Sequence, residues 1–166
     1  MVFNRKSQIT NLYRLCAQAP VGVWLNPCEW GLQPPSVSLS GAQPTASVTM
    51  VMKKGAAVAI RVDDPGNFLA QNEGKGPGAH LFLGVGNDAL SFRPASLLSR
   101  DASGRTHQIV IPFNSLVKLV VRSSFFHLSD GAGIPLPRGT VHIPVFVPPG
   151  QPPAPVTLRV TGGGGP

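Results

Sequence analysis

Residues 107–147, HQIVIPFNSLVKLVVRSSFFHLSDGAGIPLPRGTVHIPVFV, contain three runs of β-branched and aromatic residues separated by turn-forming residues. Short runs of this kind, bounded by Gly, Pro, Asp and Ser, are typical of β-strands. The run at 116–128 is the most apolar, so we expect it to supply a central strand. Pro144 lacks a backbone donor, and the run that contains it is therefore predicted to lie at a sheet edge.

The same rhythm extends toward both ends of the chain. Further runs are SVTMVM at 47–52, AAVAIRV at 56–62, AHLFLGV at 79–85 and APVTLRV at 154–160. We expect the first two to form a hairpin that turns at residues 53–55. With about eight to nine strands and no substantial helix, the sequence predicts an all-β fold, a Greek-key β-sandwich of the Ig-like kind.

The connections are predicted from their turn chemistry. Residues 63–66, DDPG, should form a turn in which the Asp carboxylates cap backbone N–H groups. Further turns are expected at residues 102–104 and 130–133. Residues 67–79 are polar and rich in Gly, which predicts a long mobile loop.

These patterns predict a division of the chain into three segments. Residues 1–35 are predicted to be an N-terminal extension packed on the core, and residues 36–161 the β-sandwich domain. Residues 162–166, GGGGP with its first Gly at 162, are predicted to be a disordered tail.

Charge and hydropathy restrict the partners. The net charge is +7, but only 13% of the 166 residues are charged and the basic ones are scattered. Because there is no Lys/Arg block and no basic helix, no specific nucleic-acid partner is expected. The summed field favours weak attraction to acidic polymers or anionic surfaces. No apolar run of about 18 residues occurs, so no transmembrane segment is predicted.

The two cysteines bear on the compartment. Cys16 and Cys28 are closely spaced, which favours a local disulfide, although two reduced buried thiols are the alternative. A disulfide would indicate the periplasm or the cell exterior. Polar residues interrupt the first part of the chain, so no signal-peptide pattern is visible there.

The motifs of the common enzyme classes are missing from the sequence. There is no G-x-S-x-G nucleophile elbow and no complete phosphate loop. The four His residues lack the spacing of a metal site. The sequence therefore predicts a non-enzymatic protein with no catalytic residues, no metal and no cofactor.

Four aromatic residues are the candidate ligand-binding residues. Trp24 and Trp30 flank Cys28, where an indole either plugs the core or stacks on a sugar ring. Phe125 and Phe126 would point to opposite faces of a strand, so one of them could be exposed.

Residues 48–69 resemble a bacterial carboxypeptidase-regulatory-like, transthyretin-like β-sandwich module. The resemblance rests on the K-G turn at 54–55, the I-R-V end of a strand at 60–62 and the DDPG turn. The usual Gly near the end of that strand is absent, since Ala59 or Ile60 stands there. The resemblance transfers no catalytic residue.

The resemblance implies a non-catalytic accessory or interaction domain of a bacterial envelope or secreted protein. Its partner, a protein or a polysaccharide, is not identified by the sequence. Edge strands and the 67–79 loop would form its contact surfaces. The alternative is a carbohydrate-binding module that uses exposed aromatic residues.

Overall fold

A computed structural model describes residues 11–17, 23–28, 30, 36–76, 78–86 and 92–164. These residues form thirteen strands and one short helix, so the predicted all-β class is confirmed. The chain divides into two compact units, Met1–Lys54 and Gly55–Pro166. The predicted domain boundary after residue 35 stays a prediction.

The first unit contains two small antiparallel pairs. Strand β1 (Asn11–Arg14) pairs with β3 (Ser36–Leu39), and β2 (Trp24–Leu25) pairs with β4 (Lys53–Lys54). Cys16 and Cys28 form a disulfide with 5.6 Å between their Cα atoms, as predicted.

The second unit contains two sheets and nine strands. Their bounds are β5 Ala56–Asp63, β6 Phe82–Val85, β7 Arg93–Pro94, β8 Ser96–Asp101, β9 Gly104–Ile111, β10 Leu116–Ser123, β11 Phe126–Asp130, β12 Gly139–Phe146 and β13 Val156–Gly163. One sheet has the order β12-β10-β6-β7 and the other β11-β13-β5-β9-β8. All neighbouring strands are antiparallel except β13 and β5, which are parallel.

The core of the second unit follows from alternation along the strands. In β5, the residues at every second position, from Ala56 to Val62, are buried. The other sheet contributes Leu119 and Val121 of β10, each 1% exposed. Both sheets thus bury one apolar face, which is the pattern of a β-sandwich.

The predicted hairpin at 47–62 is wrong. Residues 44–52 form no strand, and 53–54 is a strand instead of a turn. The physical reason is that β5 already has β13 on one side and β9 on the other. Both of its edges are occupied, so the alternating run 47–52 has no place beside it.

The most apolar run is divided between the two sheets. β10 lies inside the four-stranded sheet as predicted, whereas β11 lies at the edge of the five-stranded sheet. The Ser123 hydroxyl accepts hydrogen bonds from the backbone N–H groups of Phe125 and Phe126 at this corner. β12, which contains Pro144, lies at a sheet edge as predicted.

The segment 67–79, predicted as a long mobile loop, begins with a short helix, α1 (Phe68–Asn72). The Asp64 carboxylate accepts hydrogen bonds of 2.8 Å from the N–H groups of both Phe68 and Leu69, so the predicted capping role is confirmed. Leu69 and Ala79 are buried. Two of its polar side chains make hydrogen bonds within the fold: Asn72 donates to the Phe68 carbonyl oxygen, and Glu73 accepts from Arg105.

The predicted tail begins too early. Gly162 and Gly163 belong to β13 and pair with His127 and Phe126 of β11. Strand pairing uses backbone groups, so a run of Gly can extend a strand when a partner is adjacent. Residues 165 and 166 lie outside the described residues.

The four strands at the sheet edges are short, irregular or interrupted. β12 contains Pro144, and β7 has only two residues. The ladder shifts register in β8 between Leu97 and Ser99, and in β11 between His127 and Leu128. Such features discourage pairing with a strand from another chain.

Candidate functional site

Trp24 is placed at the surface of the first unit. Its side chain is 38% exposed, and the Lys54 ammonium lies 5.6 Å from the ring centroid. This is cation–π geometry, and it arises because β2 and β4 set Trp24 directly opposite Lys54. The interpretation of Trp24 as a core residue is therefore wrong. Trp30 is half-buried.

Phe125 and Phe126 do not form a stacking platform. Phe126 is 2% exposed and belongs to the core, while Phe125 is half-buried. Their ring centroids are 5.1 Å apart and the planes meet at 78°, an edge-to-face contact. A coplanar pair would be needed to stack on successive sugar rings, so this pair stabilises the fold.

The histidines are dispersed. In the part of the chain that the structure describes, no group of three or more His, Cys, Asp or Glu side chains is placed to hold a metal ion. His127 contacts Arg138, and His80 lies beside Phe82 with 5.7 Å between ring centroids. The remaining two lie on β9 and β12.

A polar cleft of about 190 Å³, partly open to solvent, lies between α1 and the β8–β9 hairpin. It is lined by Asp64, Asn67, Leu69, Ala70, Glu73, Arg100, Asp101, Ala102, Gly104 and Arg105. Asp64 is used in capping α1. The other charged groups could act on a ligand only if they are not already engaged within the fold.

Arg61 binds two acidic side chains at one end of the five-stranded sheet. Its guanidinium donates to Asp63 at 2.8 Å and to both Asp101 oxygens at 2.6 and 3.0 Å. The hydrogen bond from Arg61 lowers the pKa of Asp101, and the bond to Asp101 raises the pKa of Arg61. The Asp101 carboxylate also accepts from the Ser103 N–H and fixes the hairpin turn.

Arg105 and Glu73 form the second ion pair. Arg105 is 6% exposed and donates to both Glu73 oxygens at 2.6 and 3.0 Å. Burial alone would raise the pKa of Glu73, but the Arg105 hydrogen bonds and charge outweigh it and lower the pKa. The Arg105 Nε atom is buried with no hydrogen-bond partner in the described residues. The charges of the cleft therefore hold α1 and the hairpin together.

His107 lies on the same side of β9 as Arg105, opposite the buried Ile60. Burial and the positive charge of Arg105 lower its pKa, and an interaction with the Ala95 backbone opposes this only in part. Neither ring nitrogen has a well-formed hydrogen bond to a described residue. The neutral ring is the form that this position favours.

A different surface lies on the outer side of the four-stranded sheet. Phe82, Leu116 and Phe146 are 50%, 70% and 52% exposed, although each belongs to a regular strand. Lys118 and Arg122 point to the same side, because they lie two and six positions from Leu116 along β10. We call these five residues the basic aromatic face.

Strand register fixes the arrangement of this face. Phe82 of β6 lies opposite Arg122, and Leu116 lies opposite Phe146 of β12. Side chains opposite each other across a ladder are about 5 Å apart at Cβ. The face therefore has an aromatic–cation pair at one end and an apolar pair at the other. Lys118, opposite Pro144, lies between them.

Gly84, on the internal strand β6, leaves space for a neighbouring side chain on the four-stranded sheet. A Cβ atom built there would lie 2.6 Å from the Phe92 ring and 2.2 Å from the Arg93 carbonyl oxygen. Val120 lies beside Gly84 in the ladder and is only 9% exposed. The missing side chain thus lets the Phe92 ring lie close to the backbone of β6.

The charges of the face are unbalanced. Strands β6, β7, β10 and β12 contain no acidic residue. Lys118 and Arg122 make no ion pair with any described residue, whereas Arg61 on the outer side of the other sheet is fully paired. All the acidic side chains of the described ranges are engaged elsewhere: Asp63, Asp64, Glu73, Asp101 and Asp130.

Comparison with protein-family models, curated proteins and solved structures finds no significant match to this chain. Among the described residues, no helix has both the length and the apolar character needed to cross a membrane. The resemblance to transthyretin-like modules accordingly stays a prediction.

Sequence reasoning missed the basic aromatic face. Each of its strands was recognised, and alternation places Phe82, Lys118 and Phe146 at every-second positions of their runs. Alternation predicts which residues share a side of one strand. Alternation does not predict that the exposed sides of three separate strands form one surface, because that depends on the order and register of the strands in the sheet.

Proposed function

We propose that this chain is a non-catalytic binding domain of an exported protein, and that it binds its partner through the basic aromatic face. The observation that carries the proposal is the exposure of Phe82, Leu116 and Phe146 on three adjacent strands of one sheet. Apolar side chains grouped on a rigid exposed surface are typical of an interaction site.

The state of the charged groups supports a binding role over a catalytic one. A catalytic acid or base must be free to exchange a proton with a substrate. In the polar cleft, Glu73 and Asp101 are instead fixed by Arg105 and Arg61. On the basic aromatic face, Lys118 and Arg122 form no ion pair with a described residue, and such cations attract negative charge but are poor proton acceptors.

The edges of the sheets support the choice of a face. Pro144 in β12 and the irregular ladder in β8 both oppose the addition of a strand. This revises the expectation that edge strands and the 67–79 segment form the contact surface. The Cys16–Cys28 disulfide supports export, because such bonds persist in oxidising compartments.

The carbohydrate-binding alternative is better supported at the basic aromatic face than at the aromatic residues predicted from the sequence. Trp24 is covered on one side by Lys54, and Phe126 is buried. A sugar platform at Phe125 and Phe126 would need coplanar rings, which the 78° angle excludes. If a glycan binds, the exposed rings of Phe82 and Phe146 are the residues available to it.

The test is to map contacts by hydrogen exchange in the presence of a panel of polymers: xylan, polygalacturonate, oligothymidylate and anionic phosphatidylglycerol vesicles. We expect at least one of them to slow exchange in β6, β10 and β12. A Phe82→Ala/Phe146→Ala variant should lose this protection, while Ile134→Ala, an exposed apolar residue on a turn, should retain it. Protection confined to the cleft or to Trp24, or no protection at all, contradicts the proposal.

A further inference from the structure

The geometry points to an acidic polysaccharide, a linear chain of carboxylated sugars, as the ligand of the basic aromatic face. This inference rests on the proposed function and names the chemical class of its partner. It is carried by the spacing of Lys118 and Arg122, which pair with no acidic side chain among the described residues, and by the apolar groups beside them.

The two cations are spread along one line. Lys118 and Arg122 lie on the same side of β10, four residues apart, and a strand rises about 3.3 Å per residue. Their Cα atoms are therefore about 13 Å apart. A polymer with a charge on each unit can contact both cations with their side chains extended outward, whereas a single phosphate or sulfate can contact both only if the two long side chains bend toward each other. The strand would lie along the polymer.

Apolar side chains accompany each cation. Phe82 is directly across the ladder from Arg122, and Leu116 precedes Lys118 on the same side of the strand. A pyranose ring has an apolar C–H face and a rim of hydroxyl and carboxylate groups. Such a ring can lie on Phe82 while its carboxylate reaches Arg122, an arrangement that a simple anion does not exploit.

Other polyanions fit less well. Single-stranded nucleic acid also stacks on aromatic residues, but its affinity depends on many phosphate contacts, and this face has two cations. The Cys16–Cys28 disulfide supports an oxidising compartment outside the cytosol, which is consistent with an extracellular polysaccharide as the ligand. Nucleic acid and anionic membrane are retained as competing outcomes of the test.

The experiment compares polygalacturonate with the same polymer fully methyl-esterified, which keeps the sugar rings and removes the charge. Isothermal titration at low salt should show binding to the acid form that weakens with added NaCl, as expected for exposed charges. The esterified polymer should bind about tenfold more weakly or not at all.

Matched variants locate the effect. Lys118→Gln/Arg122→Gln should reduce affinity about tenfold, since two direct contacts are lost. Lys75→Gln/Arg159→Gln removes the same net charge from exposed positions outside the face and should change affinity less than about twofold. Equal loss in both double variants would mean that only the net field matters, and would overturn the inference.

The remaining outcomes separate the two proposals. Equal binding of acid and ester, or preference for oligothymidylate or phosphatidylglycerol vesicles, overturns the acidic polysaccharide. Protection of β6, β10 and β12 under those ligands would still support the face as the binding surface. If polygalacturonate fails to bind while xylan protects the face, the inference is wrong and the proposed function stands. If no polymer protects the face, both are wrong.

Discussion

Arg105 of β9 and Glu73, which follows α1, are joined by two hydrogen bonds across thirty-two residues of chain. Arg105 is almost completely buried, so its charge is removed from water and compensated by a single carboxylate. Removing one member of such a pair costs more than removing both, because it leaves an unpaired buried charge.

The first prediction concerns this pair. Glu73→Gln should lower the free energy of unfolding by about 1–3 kcal/mol, because the neutral amide cannot balance the Arg105 charge. The double variant Glu73→Leu/Arg105→Leu should be less destabilised than Glu73→Gln. Urea unfolding measures both values, and the opposite ranking would contradict the assignment of Arg105 as a compensated buried cation.

The second prediction concerns Gly84. In Gly84→Ala the new methyl group meets the Arg93 backbone as well as the Phe92 ring, and backbone cannot rotate away. We expect a loss of about 1–3 kcal/mol of folding stability, the range for overpacking. Gly76→Ala is the control, because a Cβ atom there has no neighbour within 4 Å. Equal melting temperatures for the two variants would contradict the close contact.

The third prediction is a pH dependence set by His107. Its pKa is lowered in the folded state, so between that value and the ordinary value of about 6.5 the unfolded chain binds more protons. Stability should therefore fall as the pH drops from 7.5 to 5.5. The positive charges of Arg105 and Arg100 help to lower the pKa of His107, and the negative charge of Glu73 raises it in part.

The check is to compare urea unfolding at the two pH values in wild type and in His107→Leu. The variant should lose most of the dependence, because the half-buried imidazole whose pKa is lowered is no longer present. Carboxylates contribute little to the change in stability between these two pH values, since their ordinary pKa values of about 4 lie below this window. An unchanged slope in His107→Leu would show that another group is responsible.

The fourth prediction concerns the disulfide. Replacing Cys16 and Cys28 by Ser should destabilise the first unit by about 3 kcal/mol, because the unfolded segment gains the freedom that the short closed loop removes. Both tryptophans of the chain lie in this unit, so tryptophan fluorescence reports its unfolding directly. A denaturation midpoint equal to that of the oxidised protein would contradict a stabilising bridge.

Features that depend on one segment could be predicted from the sequence. Pro144 indicated an edge strand because the missing N–H is a local property, and the β8–β9 turn followed from Asp101 and Ser103. The Asp64 cap was likewise local. The hairpin at 47–62 was not predictable in this way, because the two edges of β5 are taken by β9 and by β13, about fifty and a hundred residues away in the chain.

The candidate site shows the same limit. Trp24 and Phe126 were candidates because of their residue type, yet one is beside Lys54 and the other is in the core. Phe82 and Phe146 resembled ordinary strand residues. Only the order β12-β10-β6 brings them onto one surface with Arg122.

The parallel pairing of β5 with β13 has a mechanical consequence. These are the first and last strands of the second unit, and their ladder runs from Ile60 and Val156 to Asp63 and Arg159. A force that pulls the two ends of the unit apart would slide one strand along the other and strain these hydrogen bonds together. Antiparallel terminal strands would instead open one bond at a time. The unit is therefore connected in the way that best resists stretching when it is tethered at both ends.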